Sequence, residues 1–161
     1  MVARKDFNRY MMPVYKPAEF IPSKAKGSFV WDKQKKKYID FASGIAVSSL
    51  GHCHPELNKA LLEQSKKIWH LSNLLTNEPA LKLAKILCNK TFAEKVFFSN
   101  SGAEAIEGAI KTARKHAYVN ISKKKNGIVA FSDAFHGRTM MAIALNGSDR
   151  FVEGFGPMPG G

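Results

Sequence analysis

The residues Ser101-Gly102-Ala103-Glu104 stand between a short apolar run, Lys95-Val96-Phe97-Phe98-Ser99, and a strongly helical stretch. Ser101 and Glu104 have the spacing of a helix capping box. Gly102 permits another group to come close to the backbone. The first amides of a helix point outward unpaired, with the positive end of the dipole behind them. At the C-terminal end of a parallel strand, this combination suits a phosphate group. The same residues also describe an ordinary capped helix, and spacing alone leaves both readings open. A Walker loop is excluded because no Gly-Lys-Ser/Thr follows, and a nucleophile elbow because Ser99 stands where a glycine is needed.

A second cluster, Phe135-His136-Gly137-Arg138, follows the apolar run Ile128-Val129-Ala130-Phe131 and is expected at the same sheet edge. Phe135 offers a plane for stacking on a flat ring. Arg138 offers a fork for a carboxylate, and His136 a hydrogen bond or a brace for the loop. A core phenylalanine, a loop-bracing histidine and a surface arginine are the plain alternatives. His52-Cys53-His54 looks like a ligand set, but three adjacent residues rarely converge on one tetrahedral ion and no fourth partner is evident, so no metal is expected. Glu104 and Glu107 share a helix face at i, i+3. Stabilisation of the helix start explains Glu104 better than a catalytic dyad does.

These residues need elements to hold them. Residues 1–26 carry Pro13, Pro17 and Pro22 and are expected to wrap, with at most one short helix. Phe29-Val30-Trp31 and Tyr38-Ile39-Asp40-Phe41 flank a polar turn and predict a hairpin. Pro55 predicts a helix over 55–69 and Pro79 another ending near Asn89. Apolar run, tight turn, helix from Ala103 to about Tyr118, and a second apolar run over 128–131 predict a βαβ unit with parallel strands. A short helix is expected over 139–145 and a loop-like ending from Gly154. One crossover does not complete a parallel sheet, so the chain is expected to be a fragment or a truncated gene product.

Composition narrows the function class. The 161 residues carry 25 Lys+Arg against 13 Asp+Glu, a formal net charge of +12. Twenty of the basic residues are Lys and five are Arg. The lysines are scattered or sit in turn-like runs, which favours a solvated surface over sequence-reading contacts. The field also favours anionic small molecules. No apolar run approaches a membrane span, no secretory signal opens the chain, and Cys53 and Cys88 form no disulfide framework. A cytoplasmic protein without nucleic-acid or membrane partners is expected.

The ordered set Pro17-Ala18-Glu19-Phe20-Ile21-Pro22, Trp31-Asp32, Tyr38-Ile39-Asp40-Phe41, Gly44-Ile45-Ala46-Val47, Leu50-Gly51-His52-Cys53-His54-Pro55, Thr76-Asn77-Glu78-Pro79, Asn100-Ser101-Gly102-Ala103-Glu104-Ala105 and Phe135-His136-Gly137-Arg138 resembles the start of the class III pyridoxal-phosphate aminotransferases. The likeness runs from about Tyr15 to the end of the chain. It implies an α/β fold: an N-terminal segment plus the first part of a fold-type I transferase large domain, an incomplete, mostly parallel sheet with flanking helices. Residues 1–50 would be the N-terminal segment with its hairpin, part of a small domain, and residues 51–161 the start of the cofactor-binding large domain.

The resemblance also implies roles. Ser101, Gly102 and Ala103 would hold the phosphate of pyridoxal 5'-phosphate. Some relatives have Thr at the position of Ala103, so a hydroxyl contact would be lost there while the backbone amide remains. Phe135 would stack on the pyridine ring and Arg138 would bind the α-carboxylate of the amino acid. Tyr15 and the Ser43-Gly44-Ile45-Ala46 loop would line the substrate channel. The implied activity moves the distal amino group of an N-acylated diamino acid, N-acetylornithine or N-succinyl-diaminopimelate, to 2-oxoglutarate. The implied assembly is a homodimer with residues 52–79 at its interface. The family's Schiff-base lysine and the acid that pairs with the pyridine nitrogen lie on strands beyond Gly161, so no catalytic lysine is expected in this chain. A noncatalytic remnant, or a 4-aminobutyrate- or ornithine-type member of the class, are the alternatives.

Overall fold

The structure is a computed structural model and describes residues 2–160. It comprises two compact units, one ending at Asn77 and one starting at Glu78. His52 pairs with Gly27 and meets Asp40, which ties the residues just beyond 50 to the first unit.

The first unit holds α1 (Asp6–Tyr10), β1 (Pro22–Lys26), β2 (Phe29–Asp32), β3 (Lys37–Ile39), α2 (Ser43–Ala46) and α3 (Pro55–Ser65). The three strands form one antiparallel sheet in the order β1-β2-β3. The β2–β3 hairpin follows the sequence expectation. β1 does not: Pro-Ser-Lys-Ala-Lys has little strand propensity. It becomes a strand by pairing with β2 through a two-residue turn opened by Gly27, whose φ is +57°. Across the turn between β2 and β3, the Asp32 carboxylate accepts from the Lys36 amide and the Tyr38 hydroxyl, each at 2.9 Å. Burial works to raise the Asp32 pKa, but these bonds outweigh it and hold the group below its ordinary range. Tyr38 is raised, by burial and then by its bond to Asp32.

Asp40 ties the sheet to the loop after it. Its Oδ1 accepts from the amides of Ala42 and Ser43 at 2.9 and 3.0 Å, and its Oδ2 lies 2.7 Å from His52 Nε2. Gly27 and His52 exchange two backbone hydrogen bonds of 2.9 Å each. Gly51 (φ +82°) is required there, since a Cβ on it would sit 3.0 Å from Gly27 Cα. Between Asp40 and His52, α2 is a turn of left-handed sense: Ser43, Gly44, Ile45 and Ala46 have φ of 48, 62, 60 and 63°. Such backbone costs roughly 1–2 kcal/mol per non-glycine residue, and Asp40 at both ends and the Gly27–His52 pairing hold it in place. α3 opens on Pro55 as expected but stops at Ser65 instead of 69. The Trp69 indole N–H donates to the Ser65 carbonyl at 2.6 Å and the Gln64 side chain to the Ile68 carbonyl at 2.9 Å, so side chains satisfy carbonyls at and beyond the helix end.

The second unit holds α4 (Glu78–Lys90), α5 (Gly102–Asn120), α6 (Met140–Ala144) and α7 (Asp149–Val152). The first three match the expected helices, while α7 lies where no helix was read. One expectation is corrected: residues 95–99 and 128–131 form no parallel ladder, and the antiparallel sheet is the sole sheet among the described residues. Both runs have the composition of buried strands, but a strand also needs a neighbour to complete its hydrogen bonds. Phe97, Val129 and Phe131 remain 83, 95 and 86% exposed. The α/β class stands, with the parallel pairing absent from these residues.

The Asp40 tie gives a pH-dependent expectation. The hydrogen bond from His52 and then the Ser43 amide hold Asp40 below the ordinary aspartate value of 3.8. A depressed carboxylate contributes fully above its unfolded value and loses its contribution as pH falls through the lowered one. Protection of the Gly27 and His52 amides, measured as exchange relative to the intrinsic rate at each pH, is therefore expected to be high at neutral pH and to be lost as pH falls below 3.8. In Asp40→Asn, protection should be low and flat across the same range. A steep acid transition persisting in Asp40→Asn would show that another group controls the loop.

Candidate functional site

The start of α5 is built as a capped but open helix end. Ser101 is the N-cap, in extended conformation, and its Oγ accepts from the Glu104 amide at 3.2 Å. Glu104 reaches back past the cap: its Oε2 accepts from the Asn100 amide at 2.6 Å. The Ala105 amide donates to the Ser101 carbonyl at 3.0 Å. The amides of Gly102 and Ala103 have no acceptor among the described residues. Nothing lies within 4 Å of where a Cβ on Gly102 would stand. Two free N–H donors at the positive end of a 19-residue helix, beside open space, form a cradle for an anion.

The 135–138 loop is pressed onto this helix start through Gly137. Gly137 is buried, with φ +126°, and a Cβ on it would fall 2.8 Å from the Ala103 Cβ and 3.1 Å from the Ala103 Cα. Only a glycine backbone fits so close. The residue that carries one free amide of the cradle is thus the residue on which the aromatic and cationic loop rests. Two more contacts fix the loop. The Thr139 hydroxyl donates to Glu107 Oε1 at 2.6 Å, pinning it to the second turn of α5. The His136 amide donates to Oδ1 of the fully buried Asn146 at 3.1 Å, closing the loop onto the segment just after α6. His136 Nε2 and Asn146 Nδ2 are buried with no partner among the described residues.

The side chains that could meet a ligand are presented outward. Phe135 is 69% exposed. Arg138 lies with its Cζ 5.7 Å from the centre of the Phe135 ring and 5.2 Å from that of Phe151. No carboxylate or carbonyl among the described residues accepts from it. The contrast with Arg4 and Arg114 is plain. Arg4 donates to the Ala18 and Pro17 carbonyls, and Arg114 to those of Asn126 and Gly160.

The structure thus brings together Ser101, Gly102, Ala103, Phe135 and Arg138 in one unit. Tyr15 belongs to the other unit and is 70% exposed. The acids read as a possible dyad are otherwise engaged: Glu104 on Asn100, Glu107 on Thr139. His52 faces Asp40, and the described residues contain no cluster of three metal-ligating side chains. Sequence reasoning missed Gly137 as the buttress, and with it Asn146 and Phe151. A glycine inside a short aromatic–basic motif was the available signal for the first. Nothing local marked the other two.

The chain matches the class III aminotransferase family over residues 10–161 and belongs to that family. It is 54% identical over 159 residues to the acetylornithine/succinyldiaminopimelate aminotransferase of Buchnera aphidicola subsp. Schizaphis graminum, covering 99% of this chain and 39% of the relative. It is 54% identical over 158 residues to the succinylornithine transaminase of Salmonella typhimurium, covering 98 and 39%. The ornithine aminotransferase of Toxoplasma gondii, whose structure has pyridoxal phosphate at partial occupancy in its active site, superposes with a TM-score of 0.86 at 30% identity, over 98% of this chain and 37% of that one. The chain therefore spans about two fifths of the length of the curated relatives it matches. Its fold is that of the corresponding part of a fold-type I pyridoxal-phosphate aminotransferase.

The free amides of Gly102 and Ala103 fit the phosphate of that cofactor. Gly137→Ala tests the close approach on which the arrangement rests. The variant has to place a Cβ into Ala103 at a backbone angle unfavourable to L-residues, which costs roughly 1–3 kcal/mol in strain alone. A lowered melting temperature together with weakened binding of pyridoxal phosphate is expected from thermal denaturation and fluorescence titration. Unchanged values for both would disprove the contact.

Proposed function

We propose that this chain supplies the phosphate cradle, ring platform and carboxylate clamp of a transaminase acting on N-acylated ornithine-type diamino acids, with 2-oxoglutarate as amino acceptor. The observation that supports the reading is the packing of Gly137 on Ala103, which brings the loop bearing Phe135 and Arg138 onto the helix start that carries the two unpaired amides. The relatives named for acetylornithine, succinyldiaminopimelate and succinylornithine support the substrate class. All three substrates pair an amino-acid carboxylate with an N-acyl group.

Bound pyridoxal phosphate supplies the electron-withdrawing ring through which an amino group is exchanged. The chain's own residues bind and orient. The Gly102 and Ala103 amides, with the Ser101 hydroxyl at the edge, donate to the phosphate oxygens. The exposed face of Phe135 lies against the flat ring and keeps water from that side. Arg138, near two aromatic rings and with no hydrogen-bond acceptor among the described residues, takes the α-carboxylate bidentately. Anchoring that end leaves the distal amine to extend to the reacting centre. 2-Oxoglutarate presents a carboxylate to the same fork, so one arginine serves both partners in turn. The net charge of +12 favours the approach of these anions.

The exposed leucines of α3 (Leu57, Leu61 and Leu62), with Trp69, Leu74 and Leu75 beyond it, support a homodimer using residues 52–79. No helix of the described residues is long and apolar enough to cross a membrane. A cytoplasmic location without nucleic-acid partners agrees with the scattered lysines.

Arg138→Met in the full-length protein tests the clamp. Losing hydrogen bonds to a charged group costs roughly 1.5–3 kcal/mol. The KM for N-acetylornithine and for 2-oxoglutarate is expected to rise by about 10- to 150-fold, with pyridoxal-phosphate affinity unchanged. Equal loss of cofactor and substrate binding would refute the assignment. Leu61→Asp tests the interface: sedimentation should show a lighter species than the unmodified protein, and an unaltered mass would place the dimer contact elsewhere.

A further inference from the structure

Phe151 carries no motif in the sequence, and none of the binding roles proposed for the reaction falls to it. It lies on α7, half-buried, 13 positions beyond Arg138. Its ring centre is 5.2 Å from the Arg138 Cζ, closer than that of Phe135 at 5.7 Å. Both distances fall within the reach of a cation–π interaction. Arg138 has no hydrogen-bonding or ionic partner among the described residues, so these two rings are the contacts that restrain its charged end. They differ in what they are free to do. Phe135 is exposed and, in the proposed function, is covered by the cofactor ring. Phe151 has no other duty toward cofactor or substrate, so its hold on the guanidinium does not change as ligands come and go. A long arginine loses rotamer freedom when fixed. A face that restrains it beforehand lowers what a carboxylate must overcome to bind.

We propose that Phe151 is a positioning residue for the carboxylate clamp: its ring pre-orients the Arg138 guanidinium, leaving the N–H edges free for the substrate. This rests on the assignment of Arg138 to the α-carboxylate. Phe151 touches neither substrate nor cofactor in this scheme. It acts through Arg138 alone, and that makes the proposal separable from a general packing role. A second guanidinium, that of Arg150, lies 5.9 Å from the same ring. It is the neighbouring residue in sequence and exposed, and the proposal requires that it be dispensable.

The test uses the full-length protein saturated with pyridoxal phosphate, with glutarate as probe, a dicarboxylate with no amine or carbonyl to react. Calorimetry gives its dissociation constant in Phe151→Leu, Phe151→Met and Phe151→Trp, each made in the native and the Arg138→Met backgrounds. Phe151→Leu is expected to weaken glutarate by about two- to fivefold, the loss of an exposed cation–π contact. Phe151→Met, the reserve should the leucine variant fold poorly, is expected to do the same. Phe151→Trp keeps a π face and is expected to bind within about twofold of native. In Arg138→Met, none of the three should alter the residual affinity. Arg150→Gln should leave the effect of Phe151→Leu intact. Where turnover is measured, KM should follow glutarate affinity while kcat and pyridoxal-phosphate affinity stay unchanged.

Native affinity in both Phe151→Leu and Phe151→Met, with Arg138→Met still weakened, would overturn this proposal and leave the clamp standing. The same fold-loss from Phe151→Leu in both backgrounds, or its disappearance in Arg150→Gln, would also overturn it. Native glutarate affinity in Arg138→Met would overturn the clamp itself, and this inference with it.

Discussion

The arrangement depends on the approach of one backbone to another, Gly137 against Ala103. Everything proposed for the site derives from that contact. The two free amides belong to the helix that carries Ala103, and the aromatic and cationic side chains belong to the loop that carries Gly137. A side chain at 137 would force the two apart, since its Cβ would lie 2.8 Å from the Ala103 Cβ. The loop that carries Phe135 and Arg138 would then be displaced from the helix start. The position is buried and its φ lies on the positive side, so sterics and backbone geometry demand the same residue.

Hydrogen bonding around this contact separates structural from available groups. Ser101, Glu104, Glu107, Thr139 and the His136 amide all have partners, and each bond fixes the helix start or the loop. The Gly102 and Ala103 amides and the Arg138 guanidinium have none among the described residues. Unpaired donors are costly when buried, but Gly102 and Arg138 are exposed and Ala103 is only partly buried, so water or a ligand can satisfy them. The paired groups therefore form the frame, and the unpaired ones are the donors left available for the ligand charge of the proposed function. Two arginines of the same chain, Arg4 and Arg114, commit their donors to backbone carbonyls. Residue type alone therefore does not distinguish a clamp from a brace.

In the N-terminal unit a different device holds strain. Asp40 accepts two amides with one oxygen and meets His52 with the other. It thereby fixes both ends of a segment whose four central residues are left-handed, Ile45 among them. A β-branched residue in that conformation persists only where its surroundings over-determine it. The two-way pairing of Gly27 with His52 supplies the second constraint.

Much of this was legible in the amino-acid sequence. The hairpin, the helices opened by Pro55 and Pro79, the long helix after Ser101 and its capping spacing are local features. Dihedral preference, hydrogen bonds between near neighbours and helical periodicity act within a few residues and survive without a tertiary context. The ordered motifs were sufficient to indicate the family. Tertiary structure decided the rest. It made a strand of Pro22–Lys26, whose composition argues against one, and left the β-prone runs at 95–99 and 128–131 unpaired, because a strand is a property of two chain segments and not of one. It brought Gly137 onto a residue 34 positions earlier and Phe151 onto Arg138. Contacts between distant residues depend on the path of the intervening chain, and no spacing rule encodes that path.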